Sequence, residues 1–418
     1  MADTVLRRKA YEKLLEWKIA SMGSRGAYVR GCPRVGKTYM VGRFLGNNYE
    51  TAAVLDLRAD PGVRDVLSDA SDPAALVDRI GEAAGVELRP RKSAVFIDNA
   101  DLLPNAKAVI GAVVADGRAD CIAAGSLPLA GEGPVDEVPM RPMDFEEYLW
   151  AVGEDKTADL IRERYRMVTP MGEDHARTVE MYRQHLLFGG MPGPVAEFVE
   201  SQNIDGALAA ARKAAEEIDA RIANEGPANA GKAYRDARSS LWEETGDLRK
   251  SPIWKDSSDE GCAEALQWLQ DARLLFSSAP ATGLPELKSE GTRYYVAATG
   301  QQACLGQRKL GFGRRKESLP SRIGKDDVAL LRNEVACDLL AAGYELRHWG
   351  GIDFVLVKKG RAYPVIVGRD LSQYALKALV DFTGAVGKEY GQPYVFWDAD
   401  LGVLNGIAYL PAYMAPFV

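Results

Sequence analysis

The sequence predicts an α/β fold whose first domain is built on a parallel sheet, and three observations lead to that prediction. Short strand-like runs alternate with helix-like apolar spacing from Gly26 to about Met143. Most of these runs are continuously apolar, as strands are when helices cover both faces of a parallel sheet. The third observation is a complete G-x-x-x-x-G-K-[ST] pattern, which lies between one strand-like run and one helix-like run.

The composition is that of an ordinary globular protein, and it narrows the function classes. The 418 residues predict two or three domains, each able to bury a core. A net charge of −7 gives no overall attraction to nucleic acid or to an anionic membrane. The 5 cysteines form no C-x-x-C pair and the 3 histidines do not cluster, which argues against a disulfide framework, a zinc site or a Ser-His-Asp triad. No apolar run approaches about 18 residues and no signal-peptide pattern is present, so we expect a cytoplasmic protein.

The elements of the first domain follow from the spacing of apolar residues. An amphipathic helix is expected over residues 5–22, with one face formed by Leu6, Ala10, Leu14, Trp17 and Ser21. Strands are expected at 27–30, 52–57, 94–98, 121–124 and 138–140. A further helix is expected through Trp150, because Asp144 is suited to be its N-cap and Glu147 completes a capping box.

The rest of the chain divides into a helical region and a smaller α/β unit. Residues 155–275 are mostly helical, most clearly at 207–222 and 263–271, with loop-like breaks at 226–231 and 277–283. A basic, glycine-rich linker follows at 306–326. Beyond it we expect a helix at 328–342, strands at 344–349, 352–357 and 363–367, a helix near 376–389, and strands at 394–397 and 406–410. The expected domains are 1–153, 154–305 and 327–418.

The G-x-x-x-x-G-K-[ST] pattern predicts a binding site for a nucleoside triphosphate. Its residues are Gly31, Cys32, Pro33, Arg34, Val35, Gly36, Lys37 and Thr38. Glycines let the backbone turn so that successive N–H groups face phosphate oxygens, Lys37 brings a positive charge to the β- and γ-phosphates, and the Thr38 hydroxyl can bind Mg²⁺. A helix that begins at about Gly36 also directs its N-terminal dipole at the anion. We therefore expect ATP and Mg²⁺ as ligands.

A second Mg²⁺ ligand is expected at the end of a neighbouring strand. The run 94–98 is apolar and ends in Asp98, at the sheet edge where open α/β sheets bind ligands. Asp56 lies near the end of the run 52–57, which falls between the loop and Asp98 along the chain. We expect this run to be an extra strand that separates the loop strand from the strand of Asp98, and this order favours Asp98 over Asp56 as the metal ligand. Asn99 follows Asp98, and its amide cannot accept a proton as a carboxylate can. Asp101 is a nearby carboxylate that could supply the base in place of Asn99, but its different turn phase favours the alternative of an N-cap or a surface residue.

Ser126 is a candidate sensor of the γ-phosphate. It follows the strand-like run 121–124, at the strand end where a polar side chain commonly contacts that phosphate. The alternative is a turn serine ahead of Pro128, which the sequence favours equally.

The order of these motifs resembles that of the prokaryotic AAA+ ATPases of the archaeal-type ATPase group that carry a C-terminal domain of unknown function. The resemblance rests on a first helix with Arg8, Tyr11, Leu14 and Trp17, on the loop 31–38, and on the segments 96–99, 124–126, 140–149 and 187–192. Segment 268–275 looks like the end of a winged helix, and segments 294–300 and 407–411 match later pieces, so the resemblance covers nearly the whole chain.

Two departures from that group bear on ATP hydrolysis. Asn99 stands where the group usually has a Glu that orients or activates the attacking water, so general-base help is lost or comes from another residue. Gly133 and Pro134 stand where the group has Gly-Arg, so the sequence assigns no arginine finger. AAA+ proteins often form rings, and an oligomer is therefore possible for this chain.

The resemblance implies a restriction-endonuclease-like fold for the C-terminal domain. In that fold a Glu lies on a helix, an Asp on the next hairpin, and a Glu and a Lys on the third strand. Glu334 and Asp353 fit the first two positions, but Ile366 and Gly368 stand where the second Glu and the Lys are expected. Ordinary polar residues at a helix and a strand end are the alternative for Glu334 and Asp353. We expect an inactive, nuclease-like domain.

Three functions are compatible with these features. The leading one is an ATP-binding AAA+ protein that acts as a nucleotide-dependent switch or slow ATPase and couples nucleotide state to a C-terminal docking domain. The alternatives are an ATP-dependent nuclease and a DNA-binding ATPase. The linker residues Arg308, Lys309, Arg314, Arg315 and Lys316 could contact phosphates, although such a run is more often a solvated mobile loop. Partners could thus be a protein or a nucleic acid.

Overall fold

A five-stranded parallel sheet forms the centre of the N-terminal part of the chain. In this computed structural model the strands are β1 (Gly26–Arg30), β2 (Thr51–Asp56), β3 (Ser93–Asp98), β4 (Asp120–Gly125) and β5 (Val135–Pro139). They are ordered β2-β3-β4-β1-β5, and all four pairings are parallel. The five strands predicted from the sequence are confirmed to within three residues at each end.

The structure describes residues 6–240, 259–281, 291–300, 303, 328–368, 373–387 and 390–418. These residues form two compact units. The first unit consists of Arg7–Pro142 together with Asp271–Arg273, and the second contains the other described residues. The division into domains at 153 and 305 remains a prediction. The predicted linker, 306–326, and its five basic residues lie outside the described residues.

The position of β2 corrects the expected strand order. The run 52–57 precedes Asp98 along the chain and was the expected intervening strand, but in space β4 lies between β1 and β3. The strand β2 pairs only with β3 in the described sheet, and its Val54 is 56% exposed, as on an edge strand. The separation of β3 from the loop strand is confirmed, while the identity of the separating strand was wrong.

Helices cover this sheet and bury it. They are α1 (Lys9–Ser21), α2 (Lys37–Asn48), α3 (Val63–Val66), α4 (Pro73–Ala84) and α5 (Ala106–Asp116). The predicted apolar face is confirmed for Ala10, Leu14, Trp17 and Ser21, which are the buried residues of α1, while Leu6 precedes the helix and is half-buried. Strand β1 is buried along its whole length, as expected for a strand with a neighbour on each side.

The second unit begins with helices, as predicted. They comprise Phe145–Ala151, Asp155–Met167, His175–Phe188, Pro192–Ser201, Ile204–Glu225, Ala230–Ser240 and Asp259–Asp271. The N-cap role of Asp144 is confirmed, since its Oδ1 accepts a hydrogen bond of 2.9 Å from Glu147 N. In the part of the chain that the structure describes, no helix is long and apolar enough to cross a membrane.

The first part of one predicted loop of the second unit is a strand, and residues 282 and 283 of that loop lie outside the described residues. Residues 277–283 carry Ser, Pro and Gly and were expected to form a break, but Leu275–Pro280 pairs antiparallel with Arg293–Val296 and in parallel with Arg347–His348. Tertiary pairing overrides the weak strand propensity of these residues.

A second sheet of five strands precedes the 3-10 helix Ala412–Phe417. Its strand order is Gly402–Leu404, Ile407–Pro411, Tyr394–Trp397, Arg361–Val367, Phe354–Lys358. The three inner strands are mutually parallel and both edge pairings are antiparallel. The helices Val328–Ala341 and Gln373–Val386 accompany it, near their predicted positions. The strand Gly402–Leu404 was not predicted.

Candidate nucleotide site

The loop Gly31–Thr38 joins β1 to α2, and its glycines are required by backbone geometry. A Cβ atom at position 31 would lie 2.1 Å from the Met140 carbonyl oxygen, so only glycine fits there. Gly36 has φ +94°, a conformation that other residues rarely adopt. Arg34 has φ +65° although it is not glycine, and its residue is exposed. Two of the three unusual backbone positions thus carry the residue type that the pattern demands.

Lys37 brings a buried ammonium group to this loop. Its Nζ donates hydrogen bonds to Gly31 O at 2.9 Å, to Cys32 O at 3.0 Å and to Ser126 Oγ at 3.4 Å, and the residue is 9% exposed. A buried cation is costly without acceptors, and a phosphate would be a better one than neutral oxygens. The donor set therefore fits a phosphate.

Thr38 and Asp98 are brought together at the carboxyl edge of the sheet. Thr38 Oγ1 donates to Asp98 Oδ2 at 2.5 Å, and Asn99 N donates to Asp98 Oδ1 at 2.9 Å. Burial raises the pKa of the Asp98 carboxyl above its usual value, and the charge of Asp56 raises it further, although both hydrogen bonds and the Lys37 charge lower it. A divalent cation would relieve that burial cost, and Mg²⁺ prefers oxygen ligands such as these two.

Asp56 and Asn99 form a hydrogen-bonded pair beside Asp98. Asn99 Nδ2 donates to Asp56 Oδ1 at 2.9 Å, and Arg58 N and Ala59 N donate to the same oxygen at 2.9 and 3.2 Å. Arg58 Nε contacts Asn99 Oδ1 at 3.4 Å. Asp98 is thus the carboxylate that contacts Thr38, while Asp56 holds the turn after β2. The metal role of Asp98 and the catalytic role of Asn99 remain predictions.

Asp101 is neither the N-cap nor the exposed surface residue considered from the sequence, and its role as a substitute base stays a prediction. It is half-buried in a short 3-10 helix, Ala100–Leu102, and its Oδ2 accepts hydrogen bonds from Ser126 N at 2.9 Å and Leu127 N at 3.0 Å. The carboxylate therefore fixes the loop after β4. Ser126 is 2% exposed beside Lys37, which fits the predicted sensor role without testing it.

Sequence reasoning missed the supporting roles of two buried arginines, of which Arg8 was named only as a residue of the family motif. Arg8 donates from Nη1 to Val35 O at 2.8 Å and from Nη2 to Arg141 O at 2.6 Å, so it supports the loop from behind. Arg30 donates from Nε to Ser126 O at 3.2 Å. The signal for Arg30 was present, because a charged residue ends an otherwise apolar, buried strand. Arg8 precedes its helix, where a charge gives no hint of its partners.

Glu334 and Asp353, the two carboxylates predicted for a nuclease-like site, contact different residues. Glu334 accepts from Thr299 Oγ1 and lies 2.8 Å from His185 Nε2. Asp353 Oδ1 lies 2.7 Å from Arg332 Nε, and its Oδ2 accepts from Val367 N at 2.8 Å. Among the described residues, no group of three or more His, Cys, Asp or Glu could hold a metal ion.

The third-strand positions of the predicted nuclease-like site have no metal-binding chemistry. Ile366 is 5% exposed and belongs to a hydrophobic cluster with Val355, Phe382 and Val395. Gly368 follows directly after the strand Arg361–Val367 with φ +156°. The strand Arg361–Val367 therefore places an apolar side chain in the core at the position where a nuclease of this fold would carry a charged one.

Comparison with known proteins finds a family match that lies mostly in the first unit. Residues 24–149 match the family model described as AAA domain. No curated protein matches the chain. Similar solved structures include the ORC2 protein of Aeropyrum pernix in ADPNP–ADP complexes, at 10% identity and a TM-score of 0.34, and the RuvB Holliday junction branch migration motor of Thermotoga maritima, at 14% identity and a TM-score of 0.32. Each alignment covers 74% of this chain and 96% of the other.

A third similar structure is a STAND protein with a tetratricopeptide repeat sensor from Pyrococcus horikoshii, at 14% identity and a TM-score of 0.26. That alignment covers 78% of this chain and 45% of the other. At such TM-scores the assignment rests on the family match, on the strand order and on the loop of this chain. The match to an AAA domain over residues 24–149 agrees with the parallel sheet and the loop found there, and nucleotide binding at the loop stays a prediction.

Proposed function

We propose that this protein is an ATP-binding switch of the AAA+ type that hydrolyses ATP slowly and couples nucleotide state to its C-terminal domain. One observation carries the proposal. The buried Lys37 ammonium and the Thr38–Asp98 pair meet at the carboxyl edge of the parallel sheet, where they provide both a phosphate site and a divalent-cation site.

The residues of this chain would divide the binding of ATP and Mg²⁺ between them. The N–H groups of the loop and the Lys37 ammonium would hold the phosphates, and Thr38 Oγ1 with an Asp98 carboxylate oxygen would hold the cation. When bound, Mg²⁺ neutralises phosphate charge and orients the phosphate oxygens. Arg8 and Asp101 act indirectly, because they fix the backbone at Val35 and Ser126.

Slow hydrolysis follows from the chemistry at position 99. An amide does not take up a proton at neutral pH, so Asn99 cannot serve as a general base for the attacking water. Its Nδ2 is already bonded to Asp56 and its Oδ1 contacts Arg58. Binding without fast turnover is the property of a switch.

The C-terminal domain supports docking better than cleavage. Ile366 lies in the core, and Asp353 is paired with Arg332. A winged-helix role for the preceding region is supported by the helix Asp259–Asp271, which leads into the antiparallel pair Leu275–Pro280 and Arg293–Val296. No described feature favours the nuclease or the DNA-binding alternative.

Two measurements on the full chain test the proposal. Calorimetric titration with ATP and Mg²⁺ should show binding, and steady-state phosphate release should be well below about 1 s⁻¹. Binding with fast release would contradict the slow-ATPase part. Absence of binding would contradict the proposal as a whole.

A further inference from the structure

Arg30 occupies a position where a buried strand ordinarily holds an apolar residue. It ends β1, which lies between β4 and β5, and it is 9% exposed. Burying a guanidinium group is costly unless its donors find acceptors. An aliphatic side chain would fill the position without the free-energy cost of burying a charge. The role of Arg30 should therefore follow from the groups that its guanidinium contacts.

The guanidinium group joins three separate parts of the first unit. Nε donates to Ser126 O at 3.2 Å, in the loop after β4. Nη1 contacts Glu137 Oε2, on β5, at 3.1 Å. Nη2 donates to Asp271 O, in the segment Asp271–Arg273, at 2.6 Å. Three acceptors in fixed directions match the planar fork of an arginine, which a lysine ammonium does not offer.

The hydroxyl of Ser126 lies at the candidate nucleotide site, and its backbone carbonyl lies at Arg30. The hydroxyl accepts a hydrogen bond from Lys37 Nζ at 3.4 Å, and the carbonyl accepts one from Arg30 Nε. A phosphate competes for the Lys37 ammonium, because a charge-assisted contact to an anion is stronger than a contact to a hydroxyl. Occupation of the loop therefore changes the hydrogen bonding of Ser126.

The segment Asp271–Arg273 is held a second time through Glu137. Arg273 Nη2 donates to Glu137 Oε1 at 2.9 Å, so the two carboxylate oxygens of Glu137 serve Arg30 and Arg273. Along the chain, this segment ends the helix Asp259–Asp271 and leads to the strand Leu275–Pro280. Arg30 thus contacts both Ser126 and a part of the chain that is distant from it in sequence.

We propose that Arg30 is a positioning residue that transmits nucleotide occupancy from Ser126 to the segment Asp271–Arg273. The inference rests on the proposed function, because it requires a nucleotide in the loop. It adds a defined route for the switch, formed by Lys37, Ser126 and Arg30, that the P-loop pattern does not itself contain.

Hydrogen–deuterium exchange of peptides covering residues 259–281 tests this route, with and without saturating AMP-PNP and Mg²⁺. We expect the nucleotide analogue to change exchange there by about threefold or more in the wild type and by less than about 1.5-fold in Arg30→Lys. Arg25→Gln is the matched control and should keep the wild-type response. Arg25 directly precedes β1, and its exposed side chain contacts Asp136 Oδ1 at 2.7 Å, at the other end of the strand.

Ser126→Ala keeps the test decisive if Arg30→Lys does not fold. It removes the hydroxyl that faces Lys37 and leaves the carbonyl that Arg30 contacts, so the response should again be lost. A wild type that binds AMP-PNP by calorimetry without a change in exchange would overturn the route and leave nucleotide binding intact. If both Arg30→Lys and Ser126→Ala keep the wild-type change in exchange, the route is likewise overturned. A wild type that does not bind would overturn the route and the proposed function together.

Discussion

The Thr38 hydroxyl donates a hydrogen bond of 2.5 Å to the Asp98 carboxylate, across 60 residues of sequence. Thr38 lies at the start of α2, and Asp98 ends β3, which β4 separates from β1. The parallel arrangement brings both residues to the same edge of the sheet. Two oxygen donors of the kind that Mg²⁺ prefers are therefore in contact beside the Lys37 ammonium.

Asp98→Asn should remove most of the Mg²⁺ dependence of ATP affinity, because a neutral amide is a weaker ligand for a hard cation than a carboxylate. Affinity measured in EDTA should change little. Calorimetric titrations with and without Mg²⁺ provide the comparison. A variant that keeps the full Mg²⁺ effect would show that another carboxylate, with Asp56 the nearest alternative, holds the cation.

The stability of the ligand-free protein should also depend on Asp98. Burial raises the pKa of its carboxyl above the usual value of 3.8. A raised folded-state pKa means that the carboxyl favours folding while it is protonated, and that this contribution is lost as the pH rises through the folded-state pKa. Melting temperatures measured across the range above pH 3.8 should therefore fall less with pH in Asp98→Asn than in the wild type. Parallel curves would contradict this assignment.

Asn99→Glu should raise the steady-state rate of ATP hydrolysis by about 10²–10⁴-fold, because it restores a proton acceptor next to Asp98. Asn99→Gln is the matched control, since it has the same length as Glu but keeps an amide, and it should stay slow. Phosphate release gives the rates. A wild type that already turns over at about 1 s⁻¹ or faster would mean that another base exists.

Asp101→Ala should destabilise the first unit by about 1–3 kcal/mol, because Ser126 N and Leu127 N would lose their acceptor. Asp69→Ala is a suitable control, since Asp69 is exposed and its side-chain oxygen Oδ1 accepts hydrogen bonds from Ser71, two positions away. Urea denaturation of the two variants and the wild type measures the difference. Equal midpoints for Asp101→Ala and Asp69→Ala would remove the anchoring role of Asp101.

The C-terminal domain should not cleave nucleic acid. Incubation of the purified protein with Mg²⁺ or Mn²⁺ on single- and double-stranded DNA and RNA, with and without ATP, should leave every substrate intact. Asp353 is held by Arg332 and Val367 N, and Ile366 supplies no ligand. Cleavage that Asp353→Ala abolishes would reveal an intact metal site.

Features with a local cause were predictable from the sequence. The strands of the first sheet, the apolar face of α1 and the Asp144 cap depend on spacing within a few residues, and the loop pattern identified Lys37 and Thr38. The strand Leu275–Pro280 was missed because its pairing partners are distant in the chain.

The supporting roles of three residues at the site were not predicted, for the same physical reason. Arg8, Arg30 and Asp101 bind backbone carbonyls or N–H groups of residues that are 25 to 241 positions away. Every residue carries such backbone groups, so no residue type in the sequence marks these partners. Only the fold brings each pair together.

Nucleotide binding at Lys37 is the central claim, and a calorimetric titration of wild type and Lys37→Ala with ATP and Mg²⁺ tests it most directly. A charge-assisted contact to the phosphates contributes about 1.5–3 kcal/mol, so the variant should bind about 10- to 150-fold more weakly. Equal melting temperatures in the absence of nucleotide would confirm that the variant is folded. A dissociation constant unchanged from the wild type would contradict the site.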